Sequence, residues 1–207
     1  MPLRLAVLLS GSGTTLENLI DRQRKGQLDV EIAVVLSSKP SAFGTERARR
    51  HEIPAHAVDR RAYRDEHSFN NALHRLLDEY APDLLVLAGF LSRLELRGYA
   101  GRAMNIHPAL VPAFSGKGFY GERVHRAVLE AGVKLTGVTV HFCDESYDTG
   151  PIILQEAVPV EDDDTVDSLA RRVQEKEREL YPKAIQLYSE GRLRVEGRRV
   201  KILPRPA

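Results

Sequence analysis

Asn105-Ile106-His107-Pro108 sets an amide and an imidazole two residues apart. On an extended segment, positions i and i+2 project to the same side, so both side chains can reach one small oxygen atom. The amide donates hydrogen bonds without titrating, and the imidazole can carry a proton near neutral pH. Further along, His141-Phe142-Cys143-Asp144-Glu145-Ser146-Tyr147-Asp148-Thr149-Gly150-Pro151 offers carboxylates on a glycine-bounded loop. A carboxylate close to His107 would orient the ring and favour its charged form. Asn105, His107 and Asp148 are therefore equipment for acyl transfer through a tetrahedral oxyanion, with no covalent enzyme intermediate. The plainer reading is that Asn105 and His107 finish a strand end and satisfy buried polar groups. Pro108 at the exit and Asp148 on a second loop favour the catalytic one. His141, at a strand end, suits a supporting hydrogen-bonding role as well as direct contact with substrate.

A second candidate is Ser10-Gly11-Ser12-Gly13-Thr14-Thr15, between an apolar run and an amphipathic stretch. Its glycines allow close backbone approach, and Thr14 and Thr15 add hydroxyls at a helix N-terminus, which is phosphate-binding chemistry. No Gly-Lys-Ser/Thr follows, and the third glycine of a dinucleotide fingerprint is missing. A phosphomonoester fits better than a dinucleotide, with a plain strand-to-helix turn as the alternative. Cys143 shares a strand face with His141, yet a lone strand cysteine is usually a small core residue. The remaining histidines, at 51, 56, 67, 74 and 125, have no ligand spacing, so no metal is expected.

These residues need a scaffold. Leu5 to Leu9 reads as a buried parallel strand, with a helix from Leu16. Val30 to Leu36 is a second strand, and a helical stretch spans Thr45 to Arg50. Pro54 to Val58 is extended, Asp65 to Tyr80 helical, and Asp83 to Ala88 a further strand. This alternation predicts an α/β fold, a doubly wound, mostly parallel sheet with right-handed crossovers and a Rossmann-like N-terminal half. After Gly89 the pattern changes. Met104 to His107 is a short strand, Pro108 to Tyr120 a long loop, and Glu122 to Ala131 a helix. Leu135 to Phe142 and Ile152 to Val160 are strands joined by the Asp144–Gly150 loop. Acidic residues 161–164 precede a long helix from Thr165 to Ser189, and residues 192–202 alternate like a basic hairpin turning at Gly197.

The 207 residues suffice for one domain with a large core. We read residues 1–207 as a single domain with a nucleotide-binding half, 1–100, and a catalytic half, 101–207. A net charge of +1 gives no reason to expect a nucleic-acid or membrane partner, and the arginines at 47, 49 and 50 read as a solvated face. One cysteine excludes an internal disulfide and fits a reducing compartment. The apolar N-terminal run is too short for a signal peptide and no other run approaches a membrane span, so the expected location is the cytoplasm. Oligomeric state stays open, a homodimer included.

The segments at 7–13, 42–48, 81–90, 105–108, 136–142 and 148–153 together resemble the phosphoribosylglycinamide formyltransferases, the folate-dependent enzymes of purine synthesis. Asn-Ile-His-Pro with a later Asp-x-Gly-Pro is shared by several folate formyl enzymes, and the glycine loop narrows the choice. The resemblance implies transfer of the formyl group of 10-formyltetrahydrofolate, as co-substrate, to the amine of glycinamide ribonucleotide. Deformylation of the same folate by water is the alternative. It also implies that Gly11, Ser12, Gly13, Thr14 and Thr15 hold the ribonucleotide phosphate and that Glu177 contacts its ribose or glycinamide end. The folate would be met by Arg60, Leu91, Ser92, Arg93, Leu94, Asn105 and Asp144, the last on the loop that closes on the pterin. Asp148 is expected to raise the pKa of His107, so that it is charged when needed.

Overall fold

The computed structural model describes residues 1–205. They form two compact units, Met1–Met104 and a second from Asn105 onward.

In the first unit, β1 (Leu3–Leu9) leads into α1 (Thr14–Arg24), followed by β2 (Val30–Ser37), α2 (Phe43–Arg50), β3 (Ala55–Ala57), α3 (Glu66–Tyr80) and β4 (Leu84–Leu87). β1 is apolar at nearly every position, and Leu5 to Leu9 are fully buried. A strand covered on both faces reads as a continuous apolar run rather than an alternating one. β2 lies parallel to β1, β3 parallel to β2, and β4 parallel to the other edge of β1. The order β3-β2-β1-β4 therefore reverses direction of winding between β1 and β4. In open α/β sheets the crevice at such a reversal, beyond the carboxyl ends of the strands, is where ligands sit. The segments that leave those two ends are Ser10–Gly13 and Ala88–Leu91.

α1 begins at Thr14, two residues ahead of the apolar periodicity that suggests Leu16. Gly13, with φ 75°, makes the turn from strand to helix, and its conformation sets the helix start. α3 is capped by Asp65, whose side chain accepts from Ser68 N–H, and it ends at Ala81 in the left-handed region.

β5 (Ala103–His107) carries the chain from one unit into the other. The second unit continues with α4 (Glu122–Glu130), β6 (Leu135–Phe142), β7 (Ile152–Pro159), α5 (Val166–Ser189), β8 (Leu193–Glu196) and β9 (Arg199–Ile202). β6 and β7 pair antiparallel, β9 pairs parallel with β7 at Ile152 and Arg199, and β8 closes the terminal hairpin on β9. Thr165 and Ser168 form a reciprocal capping box at the start of α5. The α5 side chains Leu169, Val173, Leu180, Tyr181 and Ile185 are buried. No helix among the described residues is long and apolar enough to cross a membrane.

Candidate active site

β5 delivers Asn105 and His107 with their side chains on one side, as period-two geometry requires. Both meet Asp148. Asn105 Nδ2 donates to Asp148 Oδ1 at 3.3 Å and to His141 Nε2 at 3.2 Å. His141 Nδ1 donates to the Phe142 carbonyl at 2.9 Å. With Nδ1 spent on that carbonyl, Nε2 faces both the Asn105 amide and Asp148 Oδ1. Asp148 Oδ2 lies 3.5 Å from His107 Nδ1, and Asp148 Oδ1 lies 3.5 Å from His141 Nε2. The opposite nitrogen of His107, Nε2, donates to the Phe114 carbonyl at 2.8 Å. Gly116 N–H donates to Asp148 Oδ2 at 2.9 Å. The structure thus brings together Asn105, His107, His141 and Asp148, all within the second unit.

Asp148 does raise the His107 pKa, as expected, but a larger influence opposes it. Burial is the largest influence on His107 and pushes its pKa below the ordinary histidine value. The Asp148 charge and the Phe114 carbonyl pull it back up without reversing that direction, and His141 adds to the lowering. The ring is only 3% exposed, so desolvation of the imidazolium outweighs one carboxylate at 3.5 Å. Asp148 responds the other way. Burial raises its pKa, but the His141 bond, the charges of both histidines and the Gly116 N–H hold it below the usual carboxylate range. The site therefore pairs an ionised Asp148 with a His107 that resists charging.

The loop bearing Asp148 is fixed at its neck. A Cβ on Gly150 would sit 1.8 Å from the Phe142 carbonyl oxygen, so only glycine allows this approach. Asp144 Oδ1 accepts from Ser146 N–H at 3.0 Å and from Thr149 Oγ1 at 2.6 Å, so Asp144 ties the loop to itself. Arg198 reaches from the terminal hairpin to the Thr149 carbonyl at 3.0 Å. Burial pushes the Cys143 thiol pKa far up, with the Asp148 and Asp144 charges adding to it, which suits a core thiol rather than a nucleophile.

The glycine loop belongs to the first unit. Its carbonyls are each paired. Gly44 N–H donates to Gly11 O at 3.1 Å, Arg47 Nε to Ser12 O at 2.9 Å, and Glu17 N–H to Gly13 O at 3.0 Å. In a planar trans peptide the next residue's N–H points opposite to the carbonyl. The N–H groups of Ser12, Gly13 and Thr14 each point away from the paired carbonyl of their own peptide, at the N-terminus of α1, where Thr15 follows. This arrangement suits an anion. A Cβ on Gly13 would approach Gly44 Cα to 2.6 Å, so α2 presses directly on the loop.

The segment Leu91–Leu94 leaves the end of β4. Leu91 N–H donates to Ser10 Oγ at 2.9 Å, and Ser10 shares a 2.6 Å bond with Ser38. From α3, Asn70 Nδ2 donates to Arg93 O at 3.2 Å, Asn70 Oδ1 accepts from Glu95 N–H at 2.9 Å, and His74 Nε2 donates to Glu95 O at 2.6 Å. Leu91 is 40% exposed and Leu94 is buried; Ser92 lies between them, and Arg93 stands 3.7 Å from Glu66. Arg60 donates to the Tyr63 carbonyl at 3.0 Å and lies over the Phe69 ring. Glu177, on α5, is partly buried, and desolvation raises its pKa to about 7 against a lowering by Arg178.

Sequence reasoning missed Phe114, Gly116, Arg47 and Asn70. The first two act through backbone groups that every residue carries. Arg47 and Asn70 act on segments distant in the chain. Among the described residues, no three His, Cys, Asp or Glu side chains cluster as ligands for a metal ion.

Residues 3–185 match the family described as Formyl transferase. The chain is 42% identical over 195 residues to the trifunctional purine biosynthetic protein adenosine-3 of Gallus gallus, across 93% of this chain and 19% of that protein. It therefore spans only a small part of that relative's length. With phosphoribosylglycinamide formyltransferase of Escherichia coli (strain K12) it shares 38% identity over 196 residues, 93% of this chain and 90% of that one. The solved structure of glycinamide ribonucleotide transformylase 1 from Symbiobacterium toebii superposes with a TM-score of 0.92 at 46% identity, covering 98% of this chain and 95% of that one. A match over most of the chain, in sequence and in fold alike, means that this protein belongs to the formyl transferase family.

Proposed function

We propose that this protein transfers the formyl group of 10-formyltetrahydrofolate to the primary amine of glycinamide ribonucleotide. The observation that carries the reading is the joint presence of two features. One is the Asn105–His107–Asp148 set, suited to an acyl-transfer oxyanion; the other is an N–H-lined glycine loop suited to a phosphomonoester. Relatives named for this activity support it, as does the family.

In the proposed reaction the amine nitrogen attacks the formyl carbon, and negative charge develops on the formyl oxygen. Asn105 Nδ2 and the His107 ring meet that charge, a contribution of about 3–4 kcal/mol for a good donor. His107 resists protonation because it is buried. A nearby oxyanion is an additional negative charge, which raises the imidazole pKa when the intermediate forms. The collapsing intermediate breaks the bond to N10. The amine loses one proton and N10 gains one, with Asp148, ionised beside His107, accepting and returning it. The phosphate is held by the loop from Gly11 to Thr15. Glu177 accepts hydrogen bonds from the ribose or glycinamide end. Leu91 to Leu94, Arg60 and Asp144 meet the folate, and His141 orients Asn105 and Asp148.

Deformylation by water would use the same Asn, His and Asp but needs no phosphate loop. The deciding experiment follows tetrahydrofolate release from 10-formyltetrahydrofolate with and without glycinamide ribonucleotide. Release that requires the ribonucleotide is expected. Equal release without it would make the protein a hydrolase.

A further inference from the structure

We propose that Arg47 is a positioning residue for the anion loop, holding the Ser12–Gly13 peptide so that its N–H faces the phosphate. This rests on the reading of Gly11–Thr15 as the phosphate site.

Arg47 sits on α2 and reaches back with two adjacent nitrogens. Nε donates to the Ser12 carbonyl at 2.9 Å and Nη1 to Glu17 Oε2 at 3.0 Å. The second Glu17 oxygen is 2.9 Å from His51 Nε2. These side chains are between 17% and 31% exposed, so the pairs are partly shielded from water. Glu17 gives its own N–H to Gly13 O, on the first turn of α1. Its carboxylate is therefore close to the loop and would repel a phosphate dianion. The His51 bond, and behind it Arg47, hold the Glu17 pKa down, so the carboxylate is ionised near neutral pH and needs neutralising. Arg47 does both tasks with one guanidinium: it orients a loop carbonyl and offsets the carboxylate behind it.

The geometry favours positioning over direct contact with phosphate. Nε is spent on the Ser12 carbonyl and Nη1 on the Glu17 carboxylate, so both nitrogens are engaged within the protein. The guanidinium also lies over the Phe43 ring, 5.1 Å from its centroid. A lysine has a single point charge and cannot span the Ser12 carbonyl and the Glu17 carboxylate with a fixed fork.

The test compares kcat/KM for glycinamide ribonucleotide and for its dephosphorylated riboside in the unaltered protein and in Arg47→Ala, Arg47→Lys and Gly13→Ala. Arg47→Ala should reduce the preference for the phosphorylated substrate by about tenfold, the size of one lost hydrogen bond to a charged group. The loss should fall on KM for the ribonucleotide. Arg47→Lys should not restore the preference, and if Arg47→Ala does not fold, the lysine variant decides alone. Full restoration by lysine would mean that charge suffices, and it would overturn the positioning role. A preference that collapses in Gly13→Ala but survives in Arg47→Ala would overturn it too, while sparing the loop as the phosphate site. No preference in the unaltered protein, or one that neither variant changes, would remove the phosphate reading itself.

Discussion

His107 stands between two acceptors, a carbonyl at Nε2 and a carboxylate at Nδ1, and a neutral ring can donate to only one of them. Local bonding therefore favours the imidazolium, and burial opposes it; burial wins. Asp148 is the larger of the two influences that pull the pKa upward, so its removal has a definite sign. In Asp148→Asn, titration of the His107 ring followed by NMR on the ligand-free protein should show a pKa lower than in the unaltered protein. An unchanged value would mean that the two groups are not coupled across 3.5 Å. Asn105 has a different sensitivity. Its two amide hydrogens are directed to Asp148 and His141, so one of them must exchange partner to meet the oxyanion. Asn105→Ala should lose roughly 100- to 1000-fold in turnover while still binding ribonucleotide by calorimetry. Turnover near that of the unaltered protein would remove Asn105 from the oxyanion role.

The elements that hold these residues are costlier in backbone terms than strands and helices. Phe114 (φ 49°), whose carbonyl takes His107, and Asp148 (φ 56°), whose carboxylate faces it, both adopt the left-handed region that disfavours side chains. Such residues cost on the order of 1–3 kcal/mol each and persist where their surroundings impose them. The sequence displays the chemistry of this site and hides its supports. Asn105, His107 and Asp148 are legible because amide, imidazole and carboxylate are distinctive side chains at telling positions. The Phe114 carbonyl and the Gly116 N–H have no sequence signature. Asn70 is a further hidden support. In a helical stretch it reads as a surface residue, yet it is 0% exposed and bonds Arg93 O and Glu95 N. Asn70→Leu should leave both groups unpaired and cost about 1–3 kcal/mol for each, lowering Tm by about 2–4 °C for each kcal/mol. KM for 10-formyltetrahydrofolate should rise with it, because the Leu91–Leu94 segment loses its anchor. A stable variant with unchanged folate KM would show that this segment needs no such anchor.

For the whole molecule, the legible part is the strand–helix alternation of the first unit, since both β1 and β2 are long apolar runs bounded by loops. Strand order and register are settled by packing and crossover handedness rather than by any single residue. What composition conceals is how the buried titratable groups divide the pH scale. Burial lowers the pKa of His74, His107 and His125, so each resists charging in the fold. As pH falls below about 6.5, the unfolded chain takes up those protons and stability is lost. Glu177 works in the opposite direction, because its pKa rises from 4.5 to about 7. Between those values the unfolded chain has released a proton that the folded one retains, so this residue erodes stability as pH rises, and fully so above about 7. The proposed substrate contact explains why a carboxylate is kept where burial disfavours its charge. Glu177→Gln removes the titration but keeps the shape. It should melt higher than the unaltered protein at pH 8, with the difference shrinking toward pH 5, while kcat/KM for the ribonucleotide falls. Melting curves that differ equally at both pH values would disprove the linkage. A more stable variant with undiminished kcat/KM would instead separate Glu177 from the substrate.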